Sequence, residues 1–143
     1  MANYLSNFVF EFKKDMSDIK NYRDLIVWQK SVQLSVKIYQ LTAKFPKEEI
    51  FGISSQMRRA GVSIPSYIAE GRGRNTVGEF INFLGIAKGA LDELDTQIEI
   101  SFLLGFLVEN DKDDIFNMIN SIAKMLNGLK ISLKRPKTSN PNT

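Results

Sequence analysis

The chain has 143 residues, 43% of them apolar and 24% charged, with 19 basic against 16 acidic side chains for a formal charge of +3; this is one domain's worth of sequence, with enough apolar material for a single buried core. Cysteine and histidine are both absent, which excludes disulfides, thiol nucleophiles, zinc sites built on thiolate or imidazole, and acid–base chemistry through imidazole. No apolar run approaches the roughly 18 residues of a membrane span, and the opening MANYLSNFVFEFKKD lacks the basic flank, apolar stretch and small-residue cleavage site of a secretory signal, so a cytoplasmic protein without a membrane partner is expected.

Residues 1–20 form an N-terminal extension. Leu5, Phe8, Phe12, Met16 and Ile19 fit one helix face, while Phe8, Phe10 and Phe12 also alternate as in a strand; the helix is the preferred assignment. A four-helix domain follows over residues 21–135. In residues 25–45, Val27, Ser31, Leu34, Ile38, Leu41 and Phe45 recur at steps of four and three, and Pro46 ends the helix. After the connection KEEIFG the rhythm resumes with Ile53, Met57, Ala60, Ile64 and Tyr67. The phase survives Pro65, which predicts one helix kinked at the proline rather than two.

The third stripe is Phe80, Leu84, Ala87, Leu91, Leu94 and Ile98, closing near Gly105. The fourth is Ile115, Ile119, Ile122, Leu126, Leu129 and Leu133. Each segment spans about 20 residues, or about 30 Å of helix, so four helices of matched length are expected. With short connections and no period-two strands, the economical fold is all-α, an antiparallel up-down-up-down four-helix bundle. The tail PKTSNPNT, residues 136–143, is polar and expected to fray.

Between the second and third stripes lies IAEGRGRNTVGEF, residues 68–80. Gly71, Gly73 and Gly78 do not have the G-x-G-x-x-G spacing of a dinucleotide loop, the preceding segment is helical, and no G-K-[ST] follows. As a helix corner the stretch explains itself: Gly71 stops the second helix, and Thr76 with Glu79 makes the capping box of the third. Arg72 and Arg74 are not explained this way, because cations ahead of a helix N-terminus oppose its dipole. A nearby anion, whether Glu70, another carboxylate or a phosphate, would relieve that conflict.

Other cations form two further sets. Arg23, Lys30, Lys37 and Lys44 recur every seven residues, which predicts a row about 10 Å apart along the first helix. Arg58 and Arg59 are adjacent on the second. Both sets suit either a phosphate backbone or an interface between subunits. Against them, residues 88–114 hold eight carboxylates and two lysines. Asp92, Asp95 and Glu99 are the best magnesium candidates, as in helical nucleotide hydrolases, but no facing acidic set completes the site, since Glu48 and Glu49 fall in a loop and Asp111, Asp113 and Asp114 suit a helix start. A solvated acidic face is the simpler account. Trp28 and Tyr39 are assigned to packing rather than base stacking.

The run from 22 to 133 resembles the four helix bundle protein family, also called the 23S rRNA intervening-sequence protein family. The resemblance is carried by YRDLIVWQKSVQLSVKIYQLTAKFPKEE, by FGISSQMRRAGVSIPSYIAEGRGR and by GEFINFLGIAKGALDELDTQIEISFLLGFL. It implies an antiparallel four-helix bundle, typically a homopentamer; separately, no cofactor is expected. Members occur as reading frames in inserts of bacterial large-subunit ribosomal RNA genes, and related basic accessory proteins of diversity-generating retroelements bind nucleic acid and a reverse transcriptase. The resemblance gives weight to Arg58, Arg59, Arg72 and Arg74, with Glu70 as internal partner. The expectation is a noncatalytic homo-oligomer that binds RNA or other nucleic acid through these arginines and through Arg23, Lys30, Lys37 and Lys44. The alternatives are a protein–protein scaffold without nucleic acid and a magnesium-dependent nucleotide hydrolase. Off-stripe apolar residues, Ile26, Val32, Val36, Ile81, Phe102, Leu103, Phe106 and Phe116, support self-association.

Overall fold

The computed structural model describes residues 21–135; the expected N-terminal helix and frayed tail lie outside them. Among the described residues there are four long helices and no strand: α1 (Ile26–Thr42), α2 (Ile53–Arg72), α3 (Val77–Leu103) and α4 (Glu109–Lys134). Short 3-10 turns, Tyr22–Asp24 and Lys47–Glu49, precede α1 and α2. Each helix touches two neighbours, α1 against α2 and α4, and α3 against α2 and α4, which encloses one core. The stripes are that core: Val27, Leu34, Ile38, Met57, Ile64, Leu91, Leu94, Ile98 and Ile115 are all fully buried. Each such aliphatic side chain contributes about 1.5–3 kcal/mol by burial.

The helices are not matched in length, as expected from the stripes, but have 17, 20, 27 and 26 residues. The stripe of α1 reaches Phe45, yet the helix ends at Thr42, because Pro46 restricts the backbone of the residue before it. Phe45 remains buried from the turn, its ring 5.5 Å from that of Phe106. At the other extreme, α3 and α4 continue past their stripes to present polar or exposed turns.

α2 runs unbroken through Pro65. Proline has no N–H for the carbonyl four residues back, that of Gly61. The Ser35 hydroxyl of α1 donates to this carbonyl at 2.6 Å, so the defect becomes a cross-helix contact. The start of α3 is as expected: Thr76 Oγ1 accepts from the Glu79 N–H at 3.1 Å, and the Glu79 carboxylate accepts from the Thr76 N–H at 3.1 Å. Its end is a Schellman turn, with Gly105 at φ +80°, the Phe106 N–H donating to Ser101 and the Gly105 N–H to Phe102.

Gly71 does not stop α2. It lies inside the helix, buried, and Gly73 caps the end with φ −78°, an ordinary right-handed value. A Cβ on Gly71 would stand 2.5 Å from Phe83 Cβ and 3.1 Å from the Phe80 ring, so this glycine lets α2 and α3 approach closely. Most of the off-stripe apolar residues expected to serve self-association are used within the protomer. Ile26, Phe102, Phe106 and Phe116 pack against the protomer's own core, and of the eight off-stripe residues only Val36 and Leu103 are exposed.

Candidate functional site

Arg58 and Arg59 stand on α2 between Met57 and Ala60, both of which face the core. That phase leaves Arg58 half-buried at the helix edge and Arg59 exposed. Thr42, in the last turn of α1, donates its hydroxyl to the Ile38 carbonyl at 2.7 Å. Its oxygen is then free to accept from Arg58 Nε at 2.9 Å. The guanidinium lies 4.7 Å from the centre of the Tyr39 ring, one turn earlier on α1. Such a cation–ring contact at an exposed site is worth about 0.5–1 kcal/mol. Together the two contacts fix the plane of the guanidinium, and Arg58 makes no ion pair among the described residues.

This pair lines a groove of about 510 Å³ with Arg59, Ser63, Ser66 and Glu70. From Arg59 to Glu70 the helix rises about 16 Å, close to the span of five stacked base pairs. The groove is open, hydroxyl-lined and basic at one end. Chemically it can hold an extended anion.

Arg72 and Arg74 are placed differently from the expectation. Arg72 occupies the last turn of α2, where a cation favours the helix dipole instead of opposing it. Arg74, in the turn, donates to Glu70 Oε1 at 2.8 Å and stacks 4.9 Å above Phe83. The dipole conflict inferred from sequence is thus met within the chain. Through Glu70 the corner still joins the groove that carries Arg58 and Arg59.

The row of Arg23, Lys30, Lys37 and Lys44 is shorter than predicted. Only Lys30 and Lys37 lie on α1; Arg23 sits in the preceding 3-10 turn and Lys44 beyond the helix end, so helical rise does not set their spacing. Arg23 is engaged with the adjoining aromatics, 5.2 Å from the Trp28 ring and 5.7 Å from that of Tyr22.

The acids of α3 face solvent. Asp92, Asp95 and Glu99 are exposed, Lys88 donates to Asp92 at 2.6 Å, and no group of three metal-ligating side chains converges among the described residues. Partial burial raises the Asp95 carboxyl above its usual range, Asp92 and then Glu99 adding to the effect and Lys88 opposing it.

Two residues that hold Arg58 escaped sequence reasoning. Tyr39 sits beside the stripe residue Ile38 and so reads as packing, but it is 48% exposed beneath Arg58. Thr42 carries no assignment from sequence. The signal that could have found them is their spacing: three apart, they share one face of α1, opposite an arginine.

The family model described as 23S rRNA-intervening sequence protein matches residues 23–128. Among solved structures, a protein of unknown function from the S23 ribosomal protein family of Bacteroides thetaiotaomicron is similar, with a TM-score of 0.70 and 27% identity over 74% of this chain and 96% of that one. No curated protein matches.

Proposed function

Since the chain belongs to the 23S rRNA-intervening sequence protein family, we propose that it is a noncatalytic, homo-oligomeric helical scaffold that binds RNA or other nucleic acid, with Arg58 and Arg59 at the centre of the contact. The observation that carries this is Arg58 itself: anchored at Nε by Thr42, laid over an exposed tyrosine, and without a carboxylate partner among the described residues. An arginine so oriented presents its remaining N–H groups as a fork that suits a phosphate. Arg74 and Arg72 extend the basic surface at the corner, while Arg23, Lys30, Lys37 and Lys44 add diffuse positive charge on and around α1. Further copies of the chain, in a pentamer, are the structural partners; a reverse transcriptase is a further partner by resemblance. The setting is cytoplasmic; among the described residues no helix is long and apolar enough to cross a membrane.

Affinity drawn from phosphate contacts falls steeply with salt and depends little on sequence. Anisotropy titration of a labelled structured RNA at two salt concentrations tests this, comparing the wild type with Arg58→Glu/Arg59→Glu. Each lost phosphate contact removes about 0.7–0.9 from the slope of log K against log salt, so the double reversal is expected to weaken binding severely and flatten the slope by about 1.5. Unchanged binding with an unchanged slope refutes the assignment. Dissociation of the oligomer by the same reversal assigns the arginines to a subunit interface and favours a protein–protein scaffold.

A further inference from the structure

A second groove adjoins the arginine site and has a different character. It runs between α1 and α2 with a volume of about 540 Å³, lined chiefly by Tyr22, Trp28, Val32, Val36, Val62 and Pro65, and no charged side chain lines it among the described residues. Tyr39, Val62 and Ser66 line both grooves, so the two are continuous. Val36 is 53% exposed and Val62 43%. The hydroxyl of Ser35 is committed to the Gly61 carbonyl and that of Ser66 to the Val62 carbonyl, so the strip offers apolar surface and little else.

Each end of this strip carries the same arrangement, an arginine laid on aromatic rings. Arg58 lies 4.7 Å from the centre of the Tyr39 ring. Arg23 lies 5.2 Å from that of Trp28 and 5.7 Å from that of Tyr22. Neither arginine makes an ion pair among the described residues. Trp28 and Tyr39 are eleven residues apart on α1, about 16 Å by helical rise and room for several nucleotides. A duplex would satisfy the arginines, but its bases are stacked inside and out of reach of an apolar strip. An apolar peptide would fill the strip and leave both guanidinium groups without a counter-charge. An unpaired strand does both, because its phosphates meet the cations while its bases are free to turn onto rings and guanidinium planes.

We propose that the strip takes unpaired nucleobases of a single-stranded RNA segment whose phosphates run from Arg58 to Arg23. This rests on the arginine site assigned above and names its substrate class, the unpaired part of a structured RNA. Tyr39, 48% exposed where the grooves meet, is then a stacking ring, in place of the packing role that its sequence position suggests. Stacking tolerates any base, because every base has a π-face, so the low sequence dependence expected of the arginine site is retained.

Anisotropy titration of the full chain with a short labelled oligoribonucleotide, and with the same strand made abasic through its middle, tests the proposal with the number of phosphates held constant. The base-bearing strand is expected to bind about tenfold tighter, the contribution of one stacked base. Val36→Gln/Val62→Gln places polar side chains at two exposed positions of the strip; it is expected to abolish that advantage while abasic binding and its salt slope stay as in the wild type. Equal affinity of the two strands for the wild type overturns the proposal and leaves the arginine site standing, whereas binding of neither strand overturns both. An advantage that persists in the variant puts the bases elsewhere and overturns it. A fall in the sedimenting mass of the variant assigns the strip to a contact between copies of the chain and overturns it as well. The abasic comparison needs only the wild type, so it decides even where the variant fails to fold.

Discussion

Asp95 illustrates how one side chain can be read in two ways. In sequence it belongs to the set Asp92, Asp95 and Glu99, the nearest thing to a magnesium site. In the structure its carboxyl is raised above the ordinary value of 3.8, first by partial burial, then by Asp92, with Lys88 opposing and Glu99 adding a smaller push. A folded-state pKa above the unfolded one means the native protein holds the proton longer. Stability therefore falls as pH rises from the unfolded value through the raised folded one, and the penalty is complete at neutral pH. Asp95→Asn removes the charge that causes it. Thermal denaturation at pH 7 is expected to give a modestly higher Tm for the variant, and the difference should close below about pH 3.8, where both states of the wild type are protonated. A lower Tm at pH 7 would mean that the carboxylate has a stabilising partner instead.

At the scale of elements, the proline of α2 shows most clearly what a sequence can and cannot disclose. Pro65 in an apolar stripe announces a missing N–H, but not which atom answers the orphaned carbonyl. Ser35 does so from 26 residues away, and nothing in the local pattern of either helix pairs them. Ser35→Ala leaves the Gly61 carbonyl buried and unsatisfied, at a cost of about 1–3 kcal/mol. Pro65→Ala restores a backbone donor to that carbonyl. In a double-mutant cycle the serine substitution should therefore cost about 1 kcal/mol less when residue 65 is alanine. Urea denaturation of the four proteins measures the coupling, and additive effects would show that the hydroxyl contributes only packing. Local rules were sufficient where both partners are close in sequence: the Thr76–Glu79 capping box and the Gly105 stop were legible as such. Gly71 was not, because its role depends on Phe83 across a helix interface, and sequence offers a helix-ending glycine and a close-packing glycine as equals.

For the whole molecule the stripes were enough to give four helices around one core, and the family resemblance is confirmed by the match over residues 23–128. What they could not give is how the connections fold back over the helix ends. Phe106 closes on Phe45, and Phe102 and Phe116 lie under Lys112 at 3.9 Å and 6.0 Å from its ammonium. Three residues that looked available to a partner are thus used within the protomer. Much of the apolar surface that does remain lies elsewhere, and of the following four residues only Leu103 was anticipated: Phe51 is 95% exposed, Leu103 74%, Val108 65% and Leu104 57%, all in or beside the connections that the Phe45–Phe106 contact brings together. Large apolar side chains clustered at this exposure mark contacts between molecules. Their replacement should be almost neutral for the protomer, since exposed positions outside the core change stability by about 0.5 kcal/mol or less. If copies of the chain assemble through this end, Phe51→Ser/Leu103→Ser will lower the mass measured by sedimentation while helicity by circular dichroism stays the same. An undiminished mass places the subunit contact on another face, and among the described residues the remaining large exposed apolar groups, such as Val36 and Ile131, would be substituted next.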